Sequence, residues 1–172
     1  DRQILEPIPA LSMSDVAPLE AWWAALETAE IIELTATRVR PGPAADQARA
    51  SVVPLELCEL VVACVVAEAL TSELRASAYF ADQVLAVAVS RLLNALDPSL
   101  KITESAEALF GGLLVPRALS LIAHLERLGL AQLLPGGGCV VPPELRGAVA
   151  RGIILALRYI DEVFGPEPPL VE

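Results

Sequence analysis

The stretch Pro116–Pro143, PRALSLIAHLERLGLAQLLPGGGCVVPP, decides how the chain reads. Pro116 suits the first turn of a helix, where its missing N–H costs nothing. Leu121, Ile122, Leu125 and Leu128 then recur at helical spacing, while Arg117, Ser120, His124 and Arg127 fall on the opposite face at i, i+3, i+7 and i+10. Gly129 ends that run, and LAQLL and CVV alternate around PGGG as two short strands joined by a turn. The spacing therefore predicts a helix followed by a β-hairpin.

Working outward, the same pattern occurs earlier. LETAEIIEL at 26–34 lies over LERLGLAQL at 125–133 at an offset of 99, with Leu26, Glu27, Ile31 and Leu34 matching Leu125, Glu126, Leu130 and Leu133. Upstream, Trp22 and Trp23 fall on Leu121 and Ile122. Downstream, Val39 and Pro41 fall on Val140 and Pro142 if the second turn is two residues longer. Leu19, Trp22, Trp23 and Leu26 predict the buried stripe of a helix from about Pro18 to Ala29, with at least one tryptophan in the core and not serving as a stacking platform. Ile32, Leu34 and Val39 predict a hairpin, with Arg38 and Arg40 on its other face.

Between the two units, Pro54–Thr71 reads as a helix apolar on nearly every side, and Glu73–Ala95 as a second, whose apolar face includes Tyr79 and Phe80 and which stops at Asp97-Pro98. Thr103 opens a short helix ending at Gly111-Gly112. A last helix runs from about Pro143 to Phe164, with Gly147 and Gly152 as weak points. The expected organisation is an extended arm over 1–17, a first helix–hairpin unit over 18–53, central helices over 54–98, a second unit over 99–165 and a tail over 166–172. The fold class is mainly α, with two winged-helix-like helix–β-hairpin units around a central pair of long helices.

Through TESAEALFGG, VPRALSLIAHLERLG and LAQLLPGGGCVV, residues 101–152 resemble the winged-helix superfamily, in which a helix-turn-helix precedes a wing; a degenerate second copy lies near 18–43. More weakly, LETAEIIELTATRVRPGP and LERLGLAQLLPGGG resemble actinobacterial proteins related to a plasmid open-reading-frame family. The winged-helix resemblance implies a recognition-type helix at 116–128 but no particular activity.

Composition sorts the function classes. The chain has 172 residues, 22 acidic against 12 basic side chains, a net charge of −10 and a mean hydropathy of +0.57. That hydropathy calls for a large core or for apolar surface that meets a partner. The acidic balance opposes nonspecific phosphate binding, although Arg117, Arg127, Arg146, Arg151 and Arg158 nearly balance the acids after residue 116. The uncharged run Leu60–Ala67 is far shorter than the roughly 20 residues a spanning helix needs, so no membrane is expected. Three cysteines, an odd number, suit a reducing cytoplasm, and Asp1 at the start suggests an excerpt of a longer protein.

Chemistry-bearing constellations are thin. His124 is the sole histidine, with no carboxylate on its stripe to orient it, so neither a triad nor any catalytic residue is assigned. Cys58 and Cys64, six apart, match no zinc spacing and read as core, while Cys139 is a reactive thiol only if exposed. The pairs Glu56/Glu59 and Glu104/Glu107 lack histidine partners for a metal, and PGGGC lacks the Lys-Ser/Thr of a phosphate loop. No cofactor, metal or small-molecule ligand is inferred.

The expectation is a noncatalytic interaction or regulatory module that binds another protein or itself. The alternative is a DNA-binding regulator reading through Arg117, Ser120, His124 and Arg127, with backbone contacts from Arg146 and Arg151. At the matching positions Pro18, Ala21, Ala25 and Thr28 the first unit offers no basic reader.

Overall fold

In a computed structural model, residues 17–35, 37–76, 80–100 and 114–164 are described. The expected arm over 1–17, apart from Ala17, which already belongs to α1, lies outside them, as do Tyr79, the Thr103 helix and the tail. Helix α1 (Ala17–Thr28) leads into hairpin β1 (Ile32–Leu34) and β2 (Val39–Pro41), then the short α2 (Ala45–Ala48) and the long α3 (Leu55–Ala76). Helix α4 (Ala81–Leu96) follows, then α5 (Val115–Arg127), hairpin β3 (Gln132–Leu133) and β4 (Cys139–Val140), and α6 (Arg146–Phe164). The chain is mainly helical, with two small antiparallel hairpins among the described residues, as the periodicity predicts.

The core lies where α3, α4, α5 and α6 meet. Val65, Val66 and Leu70 of α3, Val84, Val87 and Leu92 of α4, Ile122 and Leu125 of α5, and Val149 and Ile153 of α6 are shut off from solvent. Each such side chain contributes roughly 1.5–3 kcal/mol of transfer free energy. Helix α3 is central, with α1 against one side and α6 along another. Its crossing with α6 is close: a Cβ on Gly152 would stand 2.6 Å from Val66 Cβ and 2.7 Å from the Ala63 carbonyl oxygen. Gly152 is thus the contact point of two helices and not merely a weak spot in one. The buried hydroxyls of this core bond within their own helices, Thr71 Oγ1 donating to the Ala67 carbonyl at 2.9 Å and Ser90 Oγ to that of Val87 at 2.8 Å.

Three expectations about the helices need correction. The first long helix runs past Thr71 to Ala76, and the second starts only at Ala81, after an exposed Phe80 in a left-handed conformation (φ 61°). The apolar period crosses the break, which has no Gly or Pro to mark it. In α1 the buried residues are Ala21 and Ala25, continued by Ala29 just past its end, whereas Leu19 is 46% and Trp22 36% exposed and Trp23 is half-buried. Small residues let α1 approach α3 closely, so the alanine stripe wins over the larger side chains. Finally, Cys58 is exposed and only Cys64 is core.

The repeat is visible in the backbone. At the end of α1, the Ile31 amide donates to the Leu26 carbonyl and that of Glu30 to Glu27, both at 2.9 Å; at the end of α5, Leu130 donates to Leu125 at 2.9 Å and Gly129 to Glu126 at 2.8 Å. Both exits turn through a left-handed residue, Glu30 (φ 57°) and Gly129 (φ 74°), the paired-bond helix end that satisfies orphan carbonyls. All four positions obey the offset of 99. The strand register amends the rest: Leu34 pairs with Val39 and Leu133 with Cys139, so Val39 corresponds to Cys139, not Val140, and the second turn is longer by one residue, not two. What is not repeated is the buried face. Helix α5 buries Ala118, Leu121, Ile122 and Leu125, whereas α1 is turned by about one residue position, roughly 100°.

Candidate functional site

Helix α5 carries Arg117, Ser120, His124 and Arg127. Ser120 and Arg127 are exposed, and Arg117 and His124 are half-buried. Arg127 Nη2 stands 3.2 Å from His124 Nδ1, the geometry of a guanidinium donating to a neutral imidazole. Burial pushes the His124 pKa below its usual value, and the nearby Arg127 charge adds to the effect. His124 is therefore a neutral acceptor for Arg127 and not a third cation on this face.

The two α6 arginines fall in different settings. Arg146 is exposed at the start of α6. Arg151 is exposed beside the α3 seam, where its charge partly offsets the burial that raises the Cys64 thiol pKa, and where Glu68 acts in the opposite sense. A carboxylate thus shares the surroundings of Arg151. The structure joins His124 to Arg127 and shows Arg151 interacting at a different seam.

Hairpin β3–β4 is fastened to the body. Leu130, Ala131 and Val141 at its base are buried, the Leu133 amide donates to Glu126 Oε1 at 2.9 Å, and the Leu134 amide closes the turn on the Gly138 carbonyl at 2.8 Å. From α4, Arg91 Nη1 donates to the Gly137 carbonyl, while the Cys139 thiol donates to the Arg91 carbonyl at 3.5 Å. Burial raises the Cys139 pKa, with Arg91 a partial counterweight, so this half-buried thiol is held in its unreactive form. Arg91 is the residue that periodicity could not single out: its role arises from a contact 46 positions away.

Hairpin β1–β2 is built differently. Its strand side chains are mostly at the surface; Leu34 and Val39, paired across the ladder, are both exposed. Thr35 closes the turn, its amide and hydroxyl both donating to the Arg38 carbonyl at 2.9 Å. Gly42 brings the chain back across the end of α1: its amide donates to the Ile31 carbonyl at 2.9 Å, and a Cβ there would lie 2.2 Å from the Glu30 carbonyl oxygen. Only glycine fits that approach. The return path places α2 beside the hairpin and opens a cleft of about 300 Å³ lined by Ile31, Ile32, Val39, Pro41, Ala45 and Ala48, with Arg40 and Arg49 also on its wall.

Sequence reasoning put Arg38 and Arg40 on a strand face but missed the cleft, because Arg49 reaches it only through the PGPAAD return. The paired prolines around Gly42 were the available signal. Among the described residues, no group of three His, Cys, Asp or Glu is placed to hold a metal ion, and no helix is long and apolar enough to cross a membrane. Comparison with family models, curated proteins and solved structures gives no match.

Proposed function

We propose that this chain is a noncatalytic interaction or regulatory module with two winged-helix-like units, binding another protein or a second copy of itself. One observation carries the reading: apolar side chains are exposed on the first hairpin, at Leu34 and Val39, and on the segment that follows α2, at Val52, Val53 and Leu55. Exposed apolar surface next to a lined cleft is what a protein contact covers. The charges there are mixed, with Glu27, Glu30 and Glu33 exposed alongside Arg38, Arg40 and Arg49, so this end offers no basic surface matched to a phosphate backbone.

The second reading, a DNA-binding transcriptional regulator using the 116–128 helix, draws on the outward placement of Ser120 and Arg127. Arg127 would be shared between His124 and a phosphate or base edge, which weakens that role. The test is a mobility shift of the full chain with genomic fragments at low salt. Under the protein-binding reading no fragment is retained selectively. Selective retention that Arg117→Ala and Arg127→Ala abolish would overturn it in favour of DNA.

A further inference from the structure

The geometry points to a two-fold dimer in which the Val52–Glu56 segment of each copy enters the Arg40/Arg49 cleft of the other. This deepens the protein-binding reading and rests on it. Ser51-Val52-Val53-Pro54-Leu55-Glu56 follows three residues after Ala48, the last cleft residue of α2, and is exposed nearly throughout: Val52 is 81% and Leu55 68% accessible. These are the two most exposed large apolar side chains among the described residues. A branched residue turned so fully to solvent does not fill the cleft of its own chain.

Shape and charge favour this occupant. The segment offers three branched apolar side chains and then Glu56, exposed in the first turn of α3. The cleft offers an apolar floor of Ile31, Ile32, Val39 and Pro41, with Arg49 at the end of α2 on its wall; Arg40 also lines it but is paired across the ladder with Glu33. Val52, Val53 and Leu55 match the floor, and Glu56 matches Arg49. In a chain of net charge −10, an apolar floor with Arg49 at its edge favours a segment that carries one carboxylate after its apolar residues. A two-fold contact needs a patch that holds both halves of the fit, so that residue i meets j and j meets i; here the two halves are neighbours in sequence. Pro54 limits the conformations that the segment must give up on docking.

Sedimentation equilibrium of the full chain across the micromolar range tests this, with circular dichroism confirming that each variant keeps its helix content. The wild type is expected to dimerise. Val52→Asp with Leu55→Asp should abolish the dimer, and Arg49→Glu or Glu56→Arg alone should weaken it by about tenfold or more. Combining Arg49→Glu with Glu56→Arg should restore it. A monomer at every concentration overturns the inference, as does a dimer that ignores these substitutions or weakening that the charge swap does not rescue. An insensitive dimer would leave the protein-binding reading standing on another surface, whereas that reading itself fails only on selective DNA retention through Arg117 and Arg127.

Discussion

Replacing Gly152 by alanine tests the α3–α6 crossing directly. The added methyl would sit 2.6 Å from Val66 Cβ, 2.8 Å from Val66 Cγ1 and 2.7 Å from the Ala63 carbonyl oxygen. Carbon atoms rest at about 3.5–4.0 Å, so relief requires the helices to part by roughly 1 Å. Val66 is fully buried and the carbonyl belongs to a helix, so neither can swing aside. Overpacking of this kind costs about 1–3 kcal/mol, and a gap of 0.5–1 Å forfeits a quarter to a half of each dispersion contact along the seam. Against that, alanine gains up to about 1 kcal/mol over glycine in a helix interior. The net expectation is a loss of about 2 kcal/mol, or roughly 4–8 °C in Tm for a chain of this length. Gly147→Ala is the internal control: it lies in the same helix, and nothing stands within 4 Å of its added Cβ. It should stabilise by about 0.5 kcal/mol, propensity alone deciding the sign. Urea and thermal unfolding followed by circular dichroism measure both. If the two substitutions shift stability in the same direction, the close crossing is not there.

Three further outcomes are expected. Glu30→Gly should stabilise by about 0.5–1 kcal/mol, and Gly129→Ala should destabilise by about 1 kcal/mol, because both positions need a left-handed residue; denaturant midpoints that move otherwise would separate the two helix ends. His124 should titrate below 6.5 in an NMR pH series and rise partway in Arg127→Ala, burial keeping the remainder. Since the folded-state pKa is the lower one, the unfolded chain takes up the proton first, so His124 costs no stability above pH 6.5 and lowers it as the pH falls from there towards the folded value. Alkylation by iodoacetamide should run Cys58 first, Cys139 next and Cys64 last, following exposure and the raised pKa values of the latter two; early labelling of Cys139 would mean that the Arg91 contact does not hold.

The parts of the fold that local chemistry determines were legible. Pro116, the Leu121–Ile122–Leu125 stripe and Gly129 define α5 without help from the rest of the chain, and the offset of 99 located two matching helix ends. Faces were harder to assign. Nothing within Leu19–Ala29 says that a narrow alanine stripe will be buried in preference to two tryptophans; only the closeness of α3 does. The α3–α4 break was hidden because a helical period passes through Ala76–Ala81 without a breaker, and the left-handed Phe80 is a conformation that sequence disfavours. At the candidate site, the polar residues of α5 were readable from spacing, but the Arg40/Arg49 cleft was not, since it depends on a chain return that Gly42 makes possible.

The central position of α3 bears on how the molecule is made. The helix with which it packs most widely, α6, begins about 90 residues after α3 does, so a chain emerging from its N-terminal end carries the α3 stripe through the synthesis of that whole interval with α1 and its nearer neighbours to cover it. Val65, Val66 and Leu70 are then available to other chains as much as to their own. Closing the Gly152 crossing is the step that removes that hazard, and it comes late. Slow release of the C-terminal third, or its truncation, would therefore show first as aggregation of the nascent protein and only afterwards as lost binding.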